Sequence, residues 1–239
     1  MIKNTYLNTA FLIIFIFGLI ACGTNSQEWI NEAKSRLEKG NLSEAKTAIE
    51  NALEVNPENA QAHNLLGVIA YQMEDFDLAI QEFKKAVNLD PSNLNAQLNL
   101  ANQEMELENW QEAKKILDFL LINGQINPEI YLKKGIALAG LGKVEEAVQD
   151  FSMVIELDSS NYDAHYNRGN IYFQKESFSI AIKDFEACIK IGDNTGKAFY
   201  ALGLSYFRIN EIEKSCLALK EAKELGYSDA NEVIDQVCL

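Results

Sequence analysis

A 34-residue plan runs six times through this chain without an insertion, and that period constrains the fold more than any other property of the sequence. Its starting points are Ser26, Ala60, Leu94, Pro128, Tyr162 and Gly196. Position 8 of the plan is always small, with Ala33, Gly67, Ala101, Gly135, Gly169 and Gly203. Position 20 holds Ala45, Ala79, Ala113, Ala147, Ala181 and Ser215. Helices that cross closely need residues without bulk where their backbones approach, so these columns predict one helical hairpin per repeat, in contact at positions 8 and 20. Large apolar residues fill the surrounding space: Ile49, Phe83, Leu117, Phe151, Phe185 and Leu219 at position 24, and Leu42, Phe76, Trp110, Val144, Phe178 and Ile212 at position 17.

The last position of each repeat supplies a separate signal. A helix start has unpaired N–H groups, and Asn, Asp, Ser or Thr offers a side-chain acceptor for them. Asn59, Asn93, Asn127, Asn161 and Thr195 stand there, with Asn25 ahead of the first repeat and Asp229 closing the sixth. Pro128 follows Asn127 at a position where a first-turn proline is tolerated. Pro57 and Pro91 end the helices before them, because the residue ahead of a proline avoids the helical region.

The unit resembles the tetratricopeptide repeat, whose pattern has a bulky residue at position 4, Leu-Gly at 7 and 8, aromatics near 11 and 12, Ala at 20 and 27, and Pro at 32. Leu66-Gly67, Ala79, Phe83, Ala86 and Pro91 match it in the second unit, and Tyr172, Phe173, Ala181 and Phe185 in the fifth. The third departs most, with Leu120 and Gln125 at positions 27 and 32. The resemblance implies an all-α fold, a right-handed α-α superhelix of six helix pairs over residues 26–229, with one continuous core. A capping helix over residues 230–239 would cover the last repeat with Val233, Ile234 and Val237.

Residues 1–21 do not fit the repeat. Lys3 is followed by an apolar run from Ala10 to Ala21, shorter than the ~20 residues a spanning helix needs, and this reads as a signal peptide. Its end, Leu19-Ile20-Ala21-Cys22, resembles the lipobox of bacterial lipoproteins. The resemblance implies cleavage before Cys22, lipidation of that cysteine and a short tether over residues 22–25; the alternative is an ordinary secretory signal with an incidental cysteine. Gly23 rather than an aspartate after the cysteine resembles an outer-membrane lipoprotein facing the periplasm.

In the tetratricopeptide family, positions 2, 5, 9, 12 and 13 of the first helix line a concave groove. Carried over, these columns give Asn64, Val68 and Tyr71 in the second repeat, then Leu98, Asn102 and Met105, then Leu132 and Ile136. The fifth repeat gives Tyr166, Asn170 and Phe173, and the sixth gives Tyr200, Leu204, Phe207 and Arg208. Aromatic rings and Arg among amides suit the gripping of a peptide, which points to the C-terminal half; packing of Phe173 and Phe207 between repeats is the competing reading. A clamp for a C-terminal carboxylate, which some family members build from Lys and Arg, lacks its cations here, since Tyr166 and Leu132 stand where a Lys is required. Arg168 reads as a structural partner of Asp150 or Asp184.

A formal net charge of −14 leaves no basic stripe for phosphates, which argues against nucleic acid. His63 and His165 both fall at position 4 and read as packing residues, no ligand spacing predicts a metal or cofactor, and no nucleophile with a base predicts an enzyme. Gly140-Leu141-Gly142 reads as an interhelical turn. Among the remaining cysteines, Cys188 falls in a small buried column and reads as an inert thiol, whereas Cys216 and Cys238 form a candidate disulfide joining the sixth repeat to the cap.

The expectation is a non-catalytic scaffold for envelope proteins or peptides, attached to the membrane by its N-terminal lipid. Two lipoprotein classes fit by resemblance, the pilotins that help type IV pilus secretins assemble and the adaptors of envelope proteases or cell-wall hydrolases. Self-association into a structural assembly is the alternative of another kind.

Overall fold

The computed structural model describes residues 25–238, so the signal segment, Cys22 and Leu239 lie outside the described residues. Every element among the described residues is helical. The chain divides into two compact units, one ending at Leu107 and the other beginning at Glu108. The division falls at the turn between the two helices of the third repeat, the one whose columns depart most from the pattern.

The first unit contains α1 (Asn25–Glu38), α2 (Leu42–Val55), α3 (Ala60–Gln72), α4 (Phe76–Leu89) and α5 (Leu94–Glu106). The second contains α6 (Trp110–Ile122), α7 (Pro128–Gly140), α8 (Val144–Leu157), α9 (Tyr162–Gln174), α10 (Phe178–Gly192), α11 (Lys197–Arg208), α12 (Ile212–Glu224) and α13 (Ala230–Val237). In each unit a helix packs on its chain neighbours, and alternate helices also meet: α1 with α3 and α3 with α5, then α7 with α9 and α9 with α11. First helices of successive repeats therefore share one side of their unit.

The hairpins of the second, fourth and fifth repeats are each held by an interlock between positions 8 and 24. A Cβ added to Gly67, Gly135 or Gly169 would lie 2.6, 2.6 or 2.8 Å from the ring of Phe83, Phe151 or Phe185. The contact predicted between positions 8 and 20 is thus made on one side by the ring at position 24, which fills the space that glycine leaves. In the first repeat, where position 8 is Ala33, position 24 carries the slimmer Ile49, and in the sixth a Cβ on Gly203 would lie 2.7 Å from Leu219. The alanines at position 20 are fully buried around the same contact.

The turn inside each hairpin has one rule of its own. Position 15 is left-handed in all six repeats, with φ of 75° at Gly40, 62° at Glu74, 57° at Glu108, 71° at Gly142, 57° at Glu176 and 63° at Asn210. This is the conformation that ends many helices. A glutamate there carries a steric cost on the order of 1 kcal/mol that glycine avoids.

Four inter-repeat turns are capped in register. The side chains of Asn59, Asn93, Asn127 and Asn161 accept from the backbone N–H of Ala62, Ala96, Ile130 and Ala164 at 2.9–3.1 Å. The sixth repeat departs from this rule. Its cap is Asp193, whose Oδ2 accepts from the N–H groups of Ala198 at 2.8 Å and Phe199 at 3.2 Å, while Thr195 donates its hydroxyl to Asp193 at 2.9 Å. A carboxylate at position 32, where the pattern has proline, reaches both orphan donors, and Gly196 takes a φ of 76° so that the chain can bend around it. A side chain at Gly196 would also strike the Ala222 carbonyl oxygen at 2.7 Å. Asp229 makes no capping bond and accepts only from the Ser228 hydroxyl at 3.2 Å. At the other end Asn25 is itself the first residue of α1.

The helix α13 ends at Val237. Its Ala230 is fully buried and Val233, Ile234 and Val237 are half-buried, in contact with α12. Cys216 and Cys238 are joined by a disulfide with Cα atoms 5.5 Å apart. Cys188 is buried, and burial first, with Asp184 and Asp193 close by, pushes its thiol up to about 12.

Two outcomes follow from these contacts. Gly135→Ala should destabilise the second unit by about 1–3 kcal/mol through overpacking against Phe151, and Phe151→Leu in the same chain should recover part of the loss in urea unfolding. Burial works to raise the Asp193 pKa, but the bonds from Thr195, Phe199 and Ala198 outweigh it and hold the carboxyl below its ordinary value. Its stabilisation is therefore complete above the unfolded carboxyl pKa and is lost as pH falls through the lower folded value. Asp193→Ala should cost about 1–2 kcal/mol at neutral pH, and the gap to the parent chain should close below about pH 4.

Candidate peptide-binding face

Contacts between successive first helices align positions 5, 9 and 12 along one side of each unit. In the first unit Asn64 and Val68 on α3 and Asn102 and Met105 on α5 are half-buried, and Tyr71 is exposed. Several polar groups there are already used between repeats. Asn99 Nδ2 donates to Asn64 Oδ1 at 3.0 Å, and the Tyr71 hydroxyl donates to Glu106 at 2.8 Å while its ring meets the edge of Phe76.

The second unit brings seven of the predicted residues onto α9 and α11. Tyr166, Asn170, Phe173, Tyr200 and Leu204 are half-buried, and Phe207 and Arg208 are exposed. Beside them a cleft of about 280 Å³ opens between α7, α8 and α9, lined by Ile136, Ala139, Val144 and Phe151 and by the amides of Asn167, Asn170 and Gln174. Asn167 and Gln174 were not singled out from sequence, although Gln174 stands at position 13 of a groove column.

Two predicted groove residues turn out to pack between repeats. Phe173 meets Phe178 at 5.3 Å and joins the cluster around Ile182, Phe185 and Leu202. Arg208 lies over Phe178 at 4.6 Å and pairs with Glu176 at 3.2 Å. By contrast Phe207, at the same column as Phe173, is 44% exposed.

Each unit also holds buried polar groups at recurring repeat positions. His63 and His165 are not simple packing residues. Their Nε2 atoms contact the carbonyl oxygens of Pro57 at 2.8 Å and Ser159 at 3.3 Å, and Gln97 at the same position donates to the Pro91 carbonyl at 3.1 Å. Position 4 thus ties each of these helices to the turn before it. The Nδ1 atoms of the histidines meet Glu82 and Asp184. Arg168 forks onto Asp184 with bonds of 3.0 and 2.7 Å and donates to Ser152 of the preceding repeat at 2.9 Å. Burial works against the Arg168 charge, and the Asp184 carboxylate more than offsets it, so its pKa is raised.

Asp150 is paired instead with Lys134 at 3.3 Å. Its Oδ2 is buried without a hydrogen-bond partner, and burial raises its pKa despite the lysine. Among the described residues no three His, Cys, Asp or Glu side chains gather as a metal set. No helix among them is long and apolar enough to cross a membrane.

Comparison with known proteins places this geometry. Residues 22–165 match the family model described as the cytochrome c-type biogenesis protein H TPR domain, and residues 162–192 match a tetratricopeptide repeat model. The chain belongs to this tetratricopeptide-repeat family. Neither model describes an enzyme, and proteins of this repeat class are protein-binding scaffolds.

Among curated proteins it is 21% identical over 189 residues to the DnaJ homolog subfamily C member 7 homolog of Dictyostelium discoideum, covering 72% of this chain and 35% of that protein. It is 30% identical over 185 residues to the peroxisomal targeting signal receptor of Yarrowia lipolytica, covering 69% of this chain and 29% of the receptor. The chain thus spans about a third of the length of these relatives. Among solved structures, PilF of Pseudomonas aeruginosa superimposes with a TM-score of 0.73 at 18% identity, covering 90% of this chain and 99% of PilF. YrrB, described as a TPR protein with an unusual peptide-binding site, gives 0.64 at 22% identity over 79% of this chain and 98% of its own. At these identities the likeness is one of fold.

The tetratricopeptide array depends on its buried charges in a measurable way. Arg168→Met should destabilise the second unit by about 3 kcal/mol, because Asp184 keeps its burial and loses two charge-assisted bonds. Adding Asp184→Asn should recover part of that loss in urea unfolding.

Proposed function

We propose that this chain is a non-catalytic scaffold of the bacterial cell envelope, lipid-anchored at Cys22, which holds a segment of a partner protein against the first-helix face of its second unit. The observation that carries the reading is the cleft between α7, α8 and α9, which α9 lines with Asn167, Asn170 and Gln174. Ile136 and Val144 offer it an apolar floor, and the amides of Asn170 and Gln174 offer donors and acceptors to an extended backbone. The rings of Tyr166, Tyr200 and Phe207 add contact area at low entropic cost. The first unit is less suited to this task, because Asn64 and Tyr71 already spend their polar atoms on the next helix.

Support for the anchor comes from sequence: the apolar run ends in Leu19-Ile20-Ala21-Cys22, and only Gly23 and Thr24 separate that cysteine from α1. One acyl chain binds a bilayer marginally and several hold it stably, so a fully acylated Cys22 would keep the first repeat near the membrane. Gly23 favours the outer membrane. The matched family carries cytochrome c-type biogenesis in its description, which makes a cytochrome c maturation protein the first partner to try.

A photo-crosslinking residue at Asn170 should give adducts with a defined envelope protein, identified by mass spectrometry. The same residue at exposed Lys183 on α10 should give none, and Tyr166→Ala should weaken the Asn170 adduct. Equal crosslinking at both sites would remove the groove reading. Cys22→Ser should abolish acyl labelling and move the chain from the membrane to the soluble fraction; retention in the membrane would remove the anchor.

A further inference from the structure

Two pairs of tyrosines lie on and after the first helices of the last two repeats. Tyr162 and Tyr166 on α9 stack at 5.9 Å, and Tyr200 on α11 meets Tyr227, from the turn between α12 and α13, at 5.0 Å. The Tyr162 hydroxyl reaches Asp193 at 3.4 Å, much as Tyr71 and Tyr206 reach Glu106 and Glu186. No such bond occupies the hydroxyls of Tyr166, Tyr200 and Tyr227 among the described residues. Their rings are half-buried, so each holds a fixed ring beside an unspent hydroxyl.

Two carboxylates border these rings. Asp229 stands where a helix cap was predicted and caps nothing; the Ser228 hydroxyl is its one hydrogen-bond partner. Glu232 accepts only from Gln236, at 3.4 Å. Neither forms an ion pair among the described residues, and Lys197, one turn ahead of Tyr200 on α11, pairs with neither. Their field reaches the rings. Burial first, and then Asp229 and Glu232, raise the Tyr200 phenol, and burial, Asp229, Tyr166 and Tyr200 raise Tyr227. Of these causes only the two carboxylates attract a cation, and the faces of electron-rich rings act in the same sense.

We propose that Tyr166, Tyr200 and Tyr227, with Asp229 and Glu232, receive a Lys or Arg side chain of a basic partner segment lying along α9 and α11. This rests on the scaffold reading and adds the chemistry of the bound segment. Charge complementarity selects the occupant: half-buried aromatic area alone would accept any apolar side chain, but two unpaired carboxylates at its rim favour one that ends in a positive charge. The hydroxyls can accept from the ammonium or guanidinium N–H groups, and the rings cover its methylene stem.

The test uses the full chain in detergent and a fluorescein-labelled peptide repeating Lys-Ser-Leu, with its acetyl-lysine counterpart as the neutral probe. The lysine peptide should bind more tightly. The pair Asp229→Asn with Glu232→Gln should weaken it about tenfold and leave the acetylated peptide unchanged, whereas Tyr200→Leu, which keeps an apolar body, should weaken the lysine peptide more than the acetylated one. Neutralising Glu156 and Glu213, exposed on α8 and α12, should change neither. Equal affinity for both peptides, or an equal loss on neutralising Glu156 and Glu213, would overturn the proposal. If both peptides bind alike and Tyr166→Ala weakens both, the scaffold reading survives without it; if neither binds, both fall.

Discussion

The fit of an aromatic ring into the space above a glycine governs the geometry of this protein. At Gly67, Gly135 and Gly169 the facing phenylalanine ring comes closer than a methyl group would allow, so the two helices of a repeat pack at short range. Phe151 and Phe185 are almost wholly buried there, and each such ring contributes more to holding the hairpin than any surface contact could. Because the second helix supplies the ring and the first supplies the gap, one side of each first helix is committed to its own partner. Positions 5, 9 and 12 are thereby left on the other side, where successive first helices present them together.

Behind the apolar interlock lies a second, polar layer, and its cost explains its form. Charged groups are tolerated in a protein interior when their partners and hydrogen bonds are complete. Asp184 meets that condition, held by His165 and by both arms of the Arg168 fork. Asp150 does not, and its orphan oxygen agrees with its raised pKa. The Arg168 bond to Ser152 runs between adjacent repeats, and the position-4 bonds to the preceding carbonyls do the same. Apolar contacts fix how closely helices approach; these bonds fix their register along one another.

The hairpins and most of their caps were legible because they follow from residue size and from local acceptors at a constant spacing. Gly135 and Phe151 form a pair that can be read from two columns, and Asn161 announces a helix start by its position. What escaped notice depends on reach rather than register. Asp193 caps from two residues upstream of the predicted Thr195 because its carboxylate serves two N–H groups at once. His63 and His165 looked like bulk at a packing position, and the acceptors that show otherwise come from a preceding turn and from a helix 19 residues further on. Tyr227 stands outside every groove column and reaches Tyr200 only because the last turn folds back.

The disulfide between Cys216 and Cys238 changes what can happen at the end of the second unit. Arrays of this kind hold each element through its neighbours alone, so melting tends to start where a terminal helix has a partner on one side only. Here α13 cannot drift away from α12 while the sulfur bond is intact, and fraying has to begin with a larger segment or elsewhere. The surface proposed around Tyr227 and Asp229 therefore sits on ground that thermal opening would otherwise claim first. Reduction would loosen that end without touching any residue of the cluster, which ties its order to the oxidation state of the surroundings.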